Sequence, residues 1–401
     1  MFRGALAFLL LCLAFPAAAG ANCLPPVPAG HPLRILFVGN SLTYYNDMPA
    51  MVEAIGAANG LPIRTGLAAS GGATLHDHLT SGDAAAAIRS GPWDYVVLQE
   101  QSSFGDTYLV DGRFRVRPTE RWITDAAALA AEARRHGARP VLLVHWAMRD
   151  SPEDGPTIEA LYARAARRIG ACVIRYGPAL ARAEQALGRA ALYQGDGLHP
   201  MPLASYVMAA GIVRVVGHRP VARIPLGVSG EPIDQDEGRR LGGNAVLVAV
   251  DAARARQIAS WARAAGDRPS NAAPTPPRLP ALPRGVPLPA ALAGRWEGPL
   301  RLYPIPATLA LNVAPDGRTA SVRILSAAGE EMKHADELPI VRTVDGLSFV
   351  FPQGPNGTQI HFEGRFVHGA LAGIARFRSA DGSLEGIGSW RGSPIRSEPP
   401  H

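Results

Sequence analysis

Five short apolar runs recur along the first half of the chain. Each run is long enough for a β-strand and too short for a helix of ordinary length. Turn-forming or polar residues separate each run from the next segment of the chain, as expected of strands in an α/β protein. The runs occupy residues 33–38, 61–67, 94–99, 140–145 and 171–175.

Helical patterns lie between these runs and after the last of them. Their apolar residues repeat at three- and four-residue spacing, which places them on one face of a helix. Strands that alternate with helices predict a parallel sheet with helices on both faces. The helices are predicted at residues 49–58, 119–136, 158–169 and 202–216, with one or two more within 234–265.

From residue 291 the pattern changes to strict alternation of apolar and polar positions with frequent glycine. Asp-Gly pairs at 316–317, 345–346 and 381–382 are hairpin-turn signals between the alternating runs. The pattern predicts a small antiparallel barrel or sandwich over residues 291–395. A barrel of this size either fills its interior with side chains or holds one small ligand, and the sequence leaves both open.

A proline-rich segment at 267–290 separates the two patterns. Segments of this composition are extended and semi-rigid, so they join domains rather than pack within one. We therefore expect an α/β domain over 22–266 and a β domain over 291–395 with few contacts between them. The two should fold separately, and the β domain should not be needed for chemistry.

The first 21 residues have the form of a signal peptide. Arg3 supplies the positive charge, an apolar stretch comes next, and small residues at 17–21 suit cleavage. We therefore expect an exported protein, periplasmic or extracellular. Cys23 follows closely, which raises the alternative of a lipoprotein. Asn22 argues against it, because the residue before a lipidated cysteine should be small.

Charge, hydropathy and cysteine content bear on the possible binding partners and on the compartment of the protein. The net charge is +6, carried almost wholly by arginine, with Lys333 the only lysine. No basic run is interleaved with aromatic residues, so nucleic acid is not expected as a partner. No segment beyond the leader is long and apolar enough for a membrane span. Cys23 and Cys172 either pair in an oxidising compartment or leave Cys172 free and buried.

The first predicted strand ends in Gly39-Asn40-Ser41-Leu42-Thr43. A serine on a turn at the carboxyl end of a strand lies at the sheet edge where α/β proteins bind ligands. The ordinary alternative is a helix-capping serine. Far downstream, Asp196 and His199 form an Asp-x-x-His pair. A serine nucleophile needs a base, and the base needs an orienting acceptor, so these three residues are the candidate catalytic set.

These two motifs, in this order, resemble those of the SGNH/GDSL hydrolase superfamily, in a GNS variant of its first block. The resemblance covers roughly residues 33–217. It implies a flavodoxin-like three-layer α/β/α sheet and a Ser-His-Asp triad that acts without a cofactor or metal. It also implies an oxyanion hole formed by the Ser41 and Gly72 backbone N–H groups and a third donor.

The family's third donor is an asparagine in a Gly-x-Asn segment after the third strand, and this chain departs from that pattern. The segment reads Leu98-Gln99-Glu100-Gln101. A glutamine amide can donate the same hydrogen bond on a longer arm. We prefer Gln99, the residue at the strand end, and keep Gln101 as the alternative.

Other polar residues at the same edge of the sheet are candidates for substrate binding: Asn40, Gln101, His145 and Trp146. His145 and Trp146 are also compatible with a place in the core. Residues 74–79 contain two histidines and an aspartate, which could ligate a metal or simply start a helix beside the pocket. The helix is favoured, because His76 and His78 would lie about 200° apart on it.

The sequence thus predicts a secreted serine esterase that hydrolyses small O-acyl esters, acetyl being the expected group, on a small molecule or glycan. Two alternatives stay open: a non-catalytic envelope protein that binds a ligand or glycan, and an O-acyltransferase with the same triad. The oligomeric state is not set by the sequence.

Overall fold

The computed structural model describes residues 23–25, 30–290, 292–353 and 358–395. The predicted signal peptide lies outside these residues. The first part of the chain is of mixed α/β type. In chain order its elements are β1 (Leu33–Gly39), α1 (Ser41–Tyr44), α2 (Met48–Ala58), β2 (Ile63–Ala69), α3 (Leu75–Ser81), α4 (Asp83–Arg89), β3 (Tyr95–Leu98), β4 (Thr107–Val110), β5 (Arg113–Arg115), α5 (Trp122–Arg135), β6 (Arg139–Leu143), α6 (Gly155–Ile169), β7 (Cys172–Ile174), α7 (Gly177–Leu187), α8 (Pro202–Val216), β8 (Gly227–Gly230), β9 (Ala245–Ala249) and α9 (Ala252–Ala262).

Five parallel strands form the central sheet in the order β2-β1-β3-β6-β7. One apolar cluster joins the sheet to α2, α7, α8 and α9, and a second joins its other face to α3, α4, α5 and α6. This is the flavodoxin-like three-layer arrangement implied by the resemblance to the SGNH/GDSL hydrolases, so the predicted fold is confirmed. The reversal of strand order beside β1 places a ligand crevice at its carboxyl end.

Of the helices predicted within 234–265, only α9 forms. Residues 227–249 instead contain the antiparallel pair β8–β9. The run Ala245-Val-Leu-Val-Ala is typical of a strand, and Gly238, Gly242 and Gly243 before it have positive φ angles that interrupt a helix. The loop between β8 and β9 packs against Tyr44 at the end of α1, next to the crevice.

The C-terminal part is a nearly closed antiparallel barrel-like sheet, as predicted. Its strands are β10 (Gly294–Leu300), β11 (Ala307–Val313), β12 (Thr319–Ser326), β13 (Glu331–Pro339), β14 (Val341–Arg342), β15 (Gly346–Gln353), β16 (Thr358–Val367), β17 (Ala370–Arg378) and β18 (Leu384–Pro394). They run in the order β13-β12-β11-β10-β18-β17-β16-β15-β14, and β13 also approaches β15. A continuous cluster of leucine, phenylalanine and tryptophan side chains fills the interior. Of the two alternatives left open by the sequence, a ligand cavity and an interior filled by side chains, the structure shows the filled interior.

The expectation of few contacts between the two parts is wrong. The hairpin β4–β5 leaves the α/β part and adds β4 in parallel to β18, with Thr107 opposite Leu384 and Val110 opposite Ile387. The hairpin therefore belongs to the sheet of the β domain although its residues lie between β3 and α5. The proline-rich segment joins two parts that are also held together by strand pairing.

Cys23 and Cys172 form a disulfide bond, which settles the alternative left open by the sequence. The backbone N–H of Cys23 also donates to the Asp267 carboxylate at 2.6 Å. These two contacts fix residue 23 against the start of β7. In the described residues, every helix is too short or too polar to cross a bilayer.

Candidate active site

Ser41 lies immediately beyond the carboxyl end of β1, as the first residue of α1. Asn40 caps this helix, because its Oδ1 accepts from the Leu42 N–H at 3.1 Å. Gly39 is needed just before it, since a Cβ atom there would come within 2.9 Å of the Gln99 side-chain oxygen. The Gly-Asn-Ser motif thus makes a tight, capped turn, from which the nearly buried Ser41 side chain reaches the crevice.

His199 and Asp196 meet Ser41 from the loop before α8. The Ser41 Oγ lies 2.9 Å from His199 Nε2, and the Asp196 carboxylate lies 2.5 Å from His199 Nδ1. The other Asp196 oxygen accepts from the backbone N–H groups of Leu198 and His199, at 2.8 and 3.0 Å. The structure therefore brings the three residues of the candidate catalytic set into one hydrogen-bonded chain.

Hydrogen bonds also set the charge state of Asp196. Burial alone would raise its pKa, but the bonds from the His199 ring and from the two backbone N–H groups outweigh it and lower the pKa. Asp196 is therefore ionised at neutral pH. An ionised carboxylate that accepts from Nδ1–H leaves Nε2 of a neutral imidazole free to accept a proton.

Contacts with neighbouring elements hold the loop that carries the histidine. Gln194 N–H donates to the His199 carbonyl at 2.8 Å, and the Trp146 indole N–H donates to the Leu198 carbonyl at 3.0 Å. Gly197 has a positive φ angle of 72°, which suits glycine, and its carbonyl accepts from Arg149 N–H at 2.7 Å. The geometry of the catalytic set thus depends on a closed, well-bonded loop.

Two residues that the sequence analysis did not single out support the imidazole. The ring of Tyr45 stacks on the His199 ring, with centroids 4.3 Å apart and planes 16° apart. Asn46 Nδ2 donates to the Pro200 carbonyl and to Ser205 Oγ, both at 2.9 Å. Asn46 adopts a left-handed conformation, which asparagine tolerates better than most residues. The only local signal for either role is their position directly after the serine motif.

The loop after β2 faces Ser41. Gly72 has a φ of 68°, and Asn40 Nδ2 donates to the neighbouring Ala73 carbonyl at 2.9 Å. Among the described residues, the backbone N–H groups of Ser41 and Gly72 have no hydrogen-bond acceptor. Both residues line the same small cavity. Asn40 therefore links the two turns that carry the candidate oxyanion donors, and this bond uses one of its two amide protons.

The preference for Gln99 as the third donor is not supported by its position. The Gln99 side chain is buried, its oxygen accepts from Thr43 Oγ1 at 2.6 Å, and its nitrogen donates to the Glu100 carbonyl. It does not line the cavity around Ser41. The Gln99 side chain thus lies beneath the serine turn, where it contacts Thr43 and packs against Gly39.

Gln101 is the glutamine on the cavity wall. Its side-chain oxygen accepts from the Ser103 N–H at 2.7 Å and Ser103 Oγ at 2.8 Å, while its nitrogen donates to Ser102 Oγ at 3.1 Å. The Ser103 N–H requires an acceptor and so fixes the orientation of the amide. An amide nitrogen carries two protons, so one remains for the cavity.

Between these glutamines lies the buried carboxyl group of Glu100. It accepts from Gln101 N–H at 2.7 Å and, at the longer distance of 3.3 Å, from Leu75 N–H. Burial is the main cause that raises the pKa of Glu100 to about 8, against these two bonds, which lower it. Glu100 therefore supports the Gln101 backbone from behind and carries a proton at neutral pH.

The two candidate binding residues at the end of β6 differ in position. His145 is in the core, packed against the rings of Phe104 and Tyr162, and burial lowers its pKa to about 4. It does not line either cavity beside Ser41 and His199, so its assignment to substrate binding is wrong. Trp146 is mostly buried but has one face on a cavity beside His199.

The histidines at 76 and 78 belong to α3, as favoured by the sequence. Thr74 caps this helix in a capping box with Asp77. His76 is exposed, whereas His78 is buried, with Nε2 2.6 Å from the Gly39 carbonyl and Nδ1 3.0 Å from Asp83. Within the described residues, no three His, Cys, Asp or Glu side chains are grouped so that they could hold a metal ion. His78 instead braces the serine turn from behind.

Two cavities meet at His199. The first, which we call the serine pocket, has a volume of about 220 Å³ and contains Ser41, Gly72, Gln101 and, from the loop after β8, Gln235. The second, which we call the side cavity, has a volume of about 310 Å³ and is mainly apolar. Both are lined by Gln101, Ser102, Leu198 and His199. The candidate catalytic set therefore lies where two cavities join.

Comparisons with known proteins add little to this geometry. No protein-family model and no curated protein matches the chain. Among solved structures, TesA matches with a TM-score of 0.35 and 18% identity, over 45% of this chain and 97% of its own. An Axe2 catalytic mutant, an acetylxylan esterase from Geobacillus stearothermophilus, matches with a TM-score of 0.36 and 15% identity, over 46% and 94%. The psychrotrophic esterase EstA from Pseudoalteromonas sp. matches with a TM-score of 0.34 and 17% identity, over 44% and 92%.

Proposed function

We propose that this chain is a serine ester hydrolase in which Ser41 is the nucleophile, His199 the general base and Asp196 the residue that orients His199. The single observation that carries the proposal is the continuous hydrogen-bonded chain from Ser41 Oγ through both ring nitrogens of His199 to Asp196. A serine that merely caps a helix has no need of a histidine backed by an ionised carboxylate.

The geometry supports a two-step reaction. Ser41 Oγ attacks the ester carbonyl carbon while its proton passes to His199 Nε2. When the tetrahedral intermediate collapses, the bond to the leaving alcohol breaks and His199 returns that proton to the alcohol oxygen. A water molecule then attacks the acyl-Ser41 ester, with His199 again taking and returning the proton, and the acid is released.

Three donors are proposed to stabilise the oxyanion of each tetrahedral intermediate: the backbone N–H groups of Ser41 and Gly72 and the side-chain amide of Gln101. The two backbone groups have no acceptor in the described chain, and the Gln101 amide is oriented by Ser103. Loss of one such donor costs about 2.7–4 kcal/mol of barrier. Gln101 replaces Gln99 in this role because only Gln101 faces the pocket.

The substrate class rests on the serine pocket. A volume of about 220 Å³ suits a short acyl group, and Gln101 and Ser102, which line both cavities beside His199, offer polar contacts of the kind that a sugar hydroxyl uses. We infer a small O-acyl ester, acetyl first, on a small molecule or a glycan. Export is proposed from the leader sequence, and the Cys23–Cys172 bond supports it because disulfides persist in oxidising compartments.

Hydrolysis of p-nitrophenyl acetate by the purified mature protein tests the proposal. Ser41→Ala and His199→Ala should each reduce kcat by about three orders of magnitude or more, and the double variant should lose little more, because the set acts as a unit. Asp196→Asn should be damaging but less complete. Ser90→Ala is the matched control, since Ser90 is an exposed serine at the end of α4. Turnover by Ser41→Ala at the wild-type level would falsify the assignment.

Two further measurements address the alternatives. An acyltransferase would move the acetyl group to an added sugar or glycerol in preference to water, so the ratio of transfer product to free acetate separates it from a hydrolase. A non-catalytic binding protein would show no turnover that depends on Ser41.

A further inference from the structure

The hairpin β4–β5, with Val116 and Arg117 after it, connects the two parts of the molecule. We call residues 107–117 the arm. Leu109 on β4 packs in the core of the barrel, whereas Val116 packs in the core of the α/β part. Asp111 and Gly112 form the tight turn between the two strands, both with positive φ angles. One short segment therefore has a residue in each hydrophobic core.

Polar contacts fix the arm to the β domain. The Asp111 carboxylate accepts from both Ser389 N–H, at 2.6 Å, and Ser389 Oγ, at 2.8 Å. Arg117 pairs with Glu385, and the Thr107 N–H donates to the Ser383 carbonyl at 3.1 Å. All of these partners lie on or next to β18, so the β domain fixes one side of the arm.

Equally specific contacts fix the other side of the arm to the α/β part. Arg115 is buried and makes a two-pronged pair with the buried Asp154, with bonds of 2.8–3.2 Å. The same carboxylate accepts from Val116 N–H at 2.9 Å, and Ser151 Oγ donates to the Phe114 carbonyl at 2.9 Å. The arm is thus clamped between β18 and the segment that precedes α6.

The arm forms one wall of the side cavity. Thr107, Phe114, Arg115 and Val116 all line it. Phe114 is 39% exposed and lines this cavity, so its ring is open to a ligand. The apolar lining is completed from other elements and consists of Phe114, Val116, Trp146, Met148, Ile158 and Leu198.

The direction of proton transfer indicates which part of a substrate would enter this cavity. His199 returns its proton to the leaving alcohol, so the alcohol oxygen must lie against His199. Of the two cavities, Ser41 and Gly72 line the serine pocket alone, Asp196 lines the side cavity alone, and His199 lies at the junction and lines both. An acyl group held at Ser41 therefore occupies the serine pocket, and the alcohol group extends past His199.

We propose that the side cavity binds an apolar or ring-shaped leaving alcohol, and that the β domain sets the selectivity for that alcohol by holding Phe114 of the arm in its wall. This inference rests on the proposed esterase function and adds its substrate class: a short acyl ester of an alcohol with an apolar face, such as an aromatic or cyclic alcohol. The acyl group is short because the serine pocket, which holds it, is the smaller of the two cavities.

Two pairs of esters separate the alcohol side from the acyl side. Ethyl acetate and benzyl acetate share the acyl group and differ in the alcohol, whereas ethyl acetate and ethyl phenylacetate share the alcohol. The full-length protein should prefer benzyl acetate over ethyl acetate and should not show that preference for ethyl phenylacetate. A preference carried by the acyl pair alone would overturn the assignment of the side cavity.

Phe114→Ala tests the wall itself. It should lower kcat/KM for benzyl acetate by about tenfold, within the range that one apolar contact contributes to substrate discrimination. The kcat/KM for ethyl acetate should stay within about twofold of the wild-type value. Val344→Ala on the β domain is the matched control, because Val344 is 81% exposed and lines neither cavity. An equal effect of Phe114→Ala on both acetates would contradict a binding role.

Asp111→Gly tests the part played by the β domain. Glycine keeps the positive φ of the turn but removes both bonds to Ser389, so the arm loosens without a change in any residue of the cavity. Benzyl acetate turnover should fall several-fold while ethyl acetate turnover does not. Asp316→Gly is the matched control, since Asp316 is also the aspartate of an Asp-Gly turn but, among the described residues, accepts only from Arg318 N–H within its own turn.

The outcomes distinguish this inference from the proposed function. Ser41→Ala, measured on ethyl acetate, reports on the esterase mechanism alone. If that variant is inactive but Phe114→Ala and Asp111→Gly both leave the ratio of the two acetates unchanged, the triad stands and the side cavity is not an alcohol site. If Ser41→Ala retains turnover, the proposed function fails first.

Discussion

The ring of Tyr45 lies against the imidazole of His199, with centroids 4.3 Å apart and the planes within 16° of parallel. Tyr45 comes directly after α1, the short helix that begins with Ser41, so the segment that carries the nucleophile also supports the base. Burial raises the pKa of Tyr45, and the nearby carboxylates of Asp196 and Asp236 add to this effect. The phenol is therefore uncharged at neutral pH. The Tyr45 ring on one face of His199 restricts rotation of the imidazole and so keeps Nε2 directed at Ser41 Oγ.

We predict that Tyr45→Phe leaves kcat close to the wild-type value and that Tyr45→Ala lowers kcat by about three- to tenfold. The expected size is derived from the contribution of aromatic pairs, about 0.5–1.5 kcal/mol. KM for p-nitrophenyl acetate should change little, because Tyr45 positions His199 rather than the substrate. A loss of activity in Tyr45→Phe equal to that in Tyr45→Ala would show instead that the hydroxyl group takes part.

The two glutamines after β3 are predicted to differ in kind. Gln101→Ala should lower kcat by roughly a hundredfold with little change in KM, because a donor to the oxyanion acts in the transition state. Gln99→Ala should mainly reduce stability, since it removes the bond from Thr43 beneath the serine turn. Measurements of kcat beside urea denaturation separate the two effects. The reverse result would restore Gln99 as the donor.

This reversal illustrates what the sequence could and could not predict. The serine turn and the Asp-x-x-His loop are local motifs, so Ser41, Asp196 and His199 could be selected from their spacing, and the strand runs predicted the parallel sheet. The choice between Gln99 and Gln101 depends on which way two neighbouring side chains point. That direction is set by Thr43 and Ser103, the first of which comes from another element.

The arm shows a second limit. Residues 107–110 are of types that favour strands, and Asp111-Gly112 is a hairpin-turn signal, so the hairpin could have been predicted. Its partner could not, because β18 lies in the other domain and nothing near the hairpin in sequence indicates parallel pairing with Leu384. His145 was misplaced for a related reason: a polar residue at a strand end is ambiguous until the aromatic side chains around it, Phe104 and Tyr162, are known.

The disulfide bond should contribute to stability and not to activity. Cys172 begins β7, whereas the active site lies beyond the opposite, carboxyl ends of the strands. The bond closes a separation of 149 residues, and removal of a native disulfide typically costs about 2–5 kcal/mol. The double variant Cys23→Ser/Cys172→Ser should therefore unfold at a lower urea concentration and keep kcat at 25 °C. Wild-type protein with and without dithiothreitol is the control, and reductant should move only the wild type.

Glu100 should make the stability of the protein fall as the pH rises. Its pKa is about 4.5 in the unfolded chain and is raised to about 8 in the fold, chiefly by burial. Between these two values the folded state binds a proton that the unfolded state has lost, so the free energy of unfolding decreases by at most about 1.4 kcal/mol per pH unit. Below pH 4.5 both states are protonated and this contribution is constant.

Glu100→Gln keeps the shape of the neutral acid and should remove most of this decline in stability. Urea denaturation at pH 5, 7 and 8.5 should therefore show a loss of stability in the wild type that the variant largely lacks. Glu330→Gln, an exposed carboxylate in a turn of the β domain, is the matched control and should leave the pH dependence unchanged. If wild type and Glu100→Gln lose stability equally between pH 5 and 8.5, Glu100 is not the group that carries the proton behind Gln101.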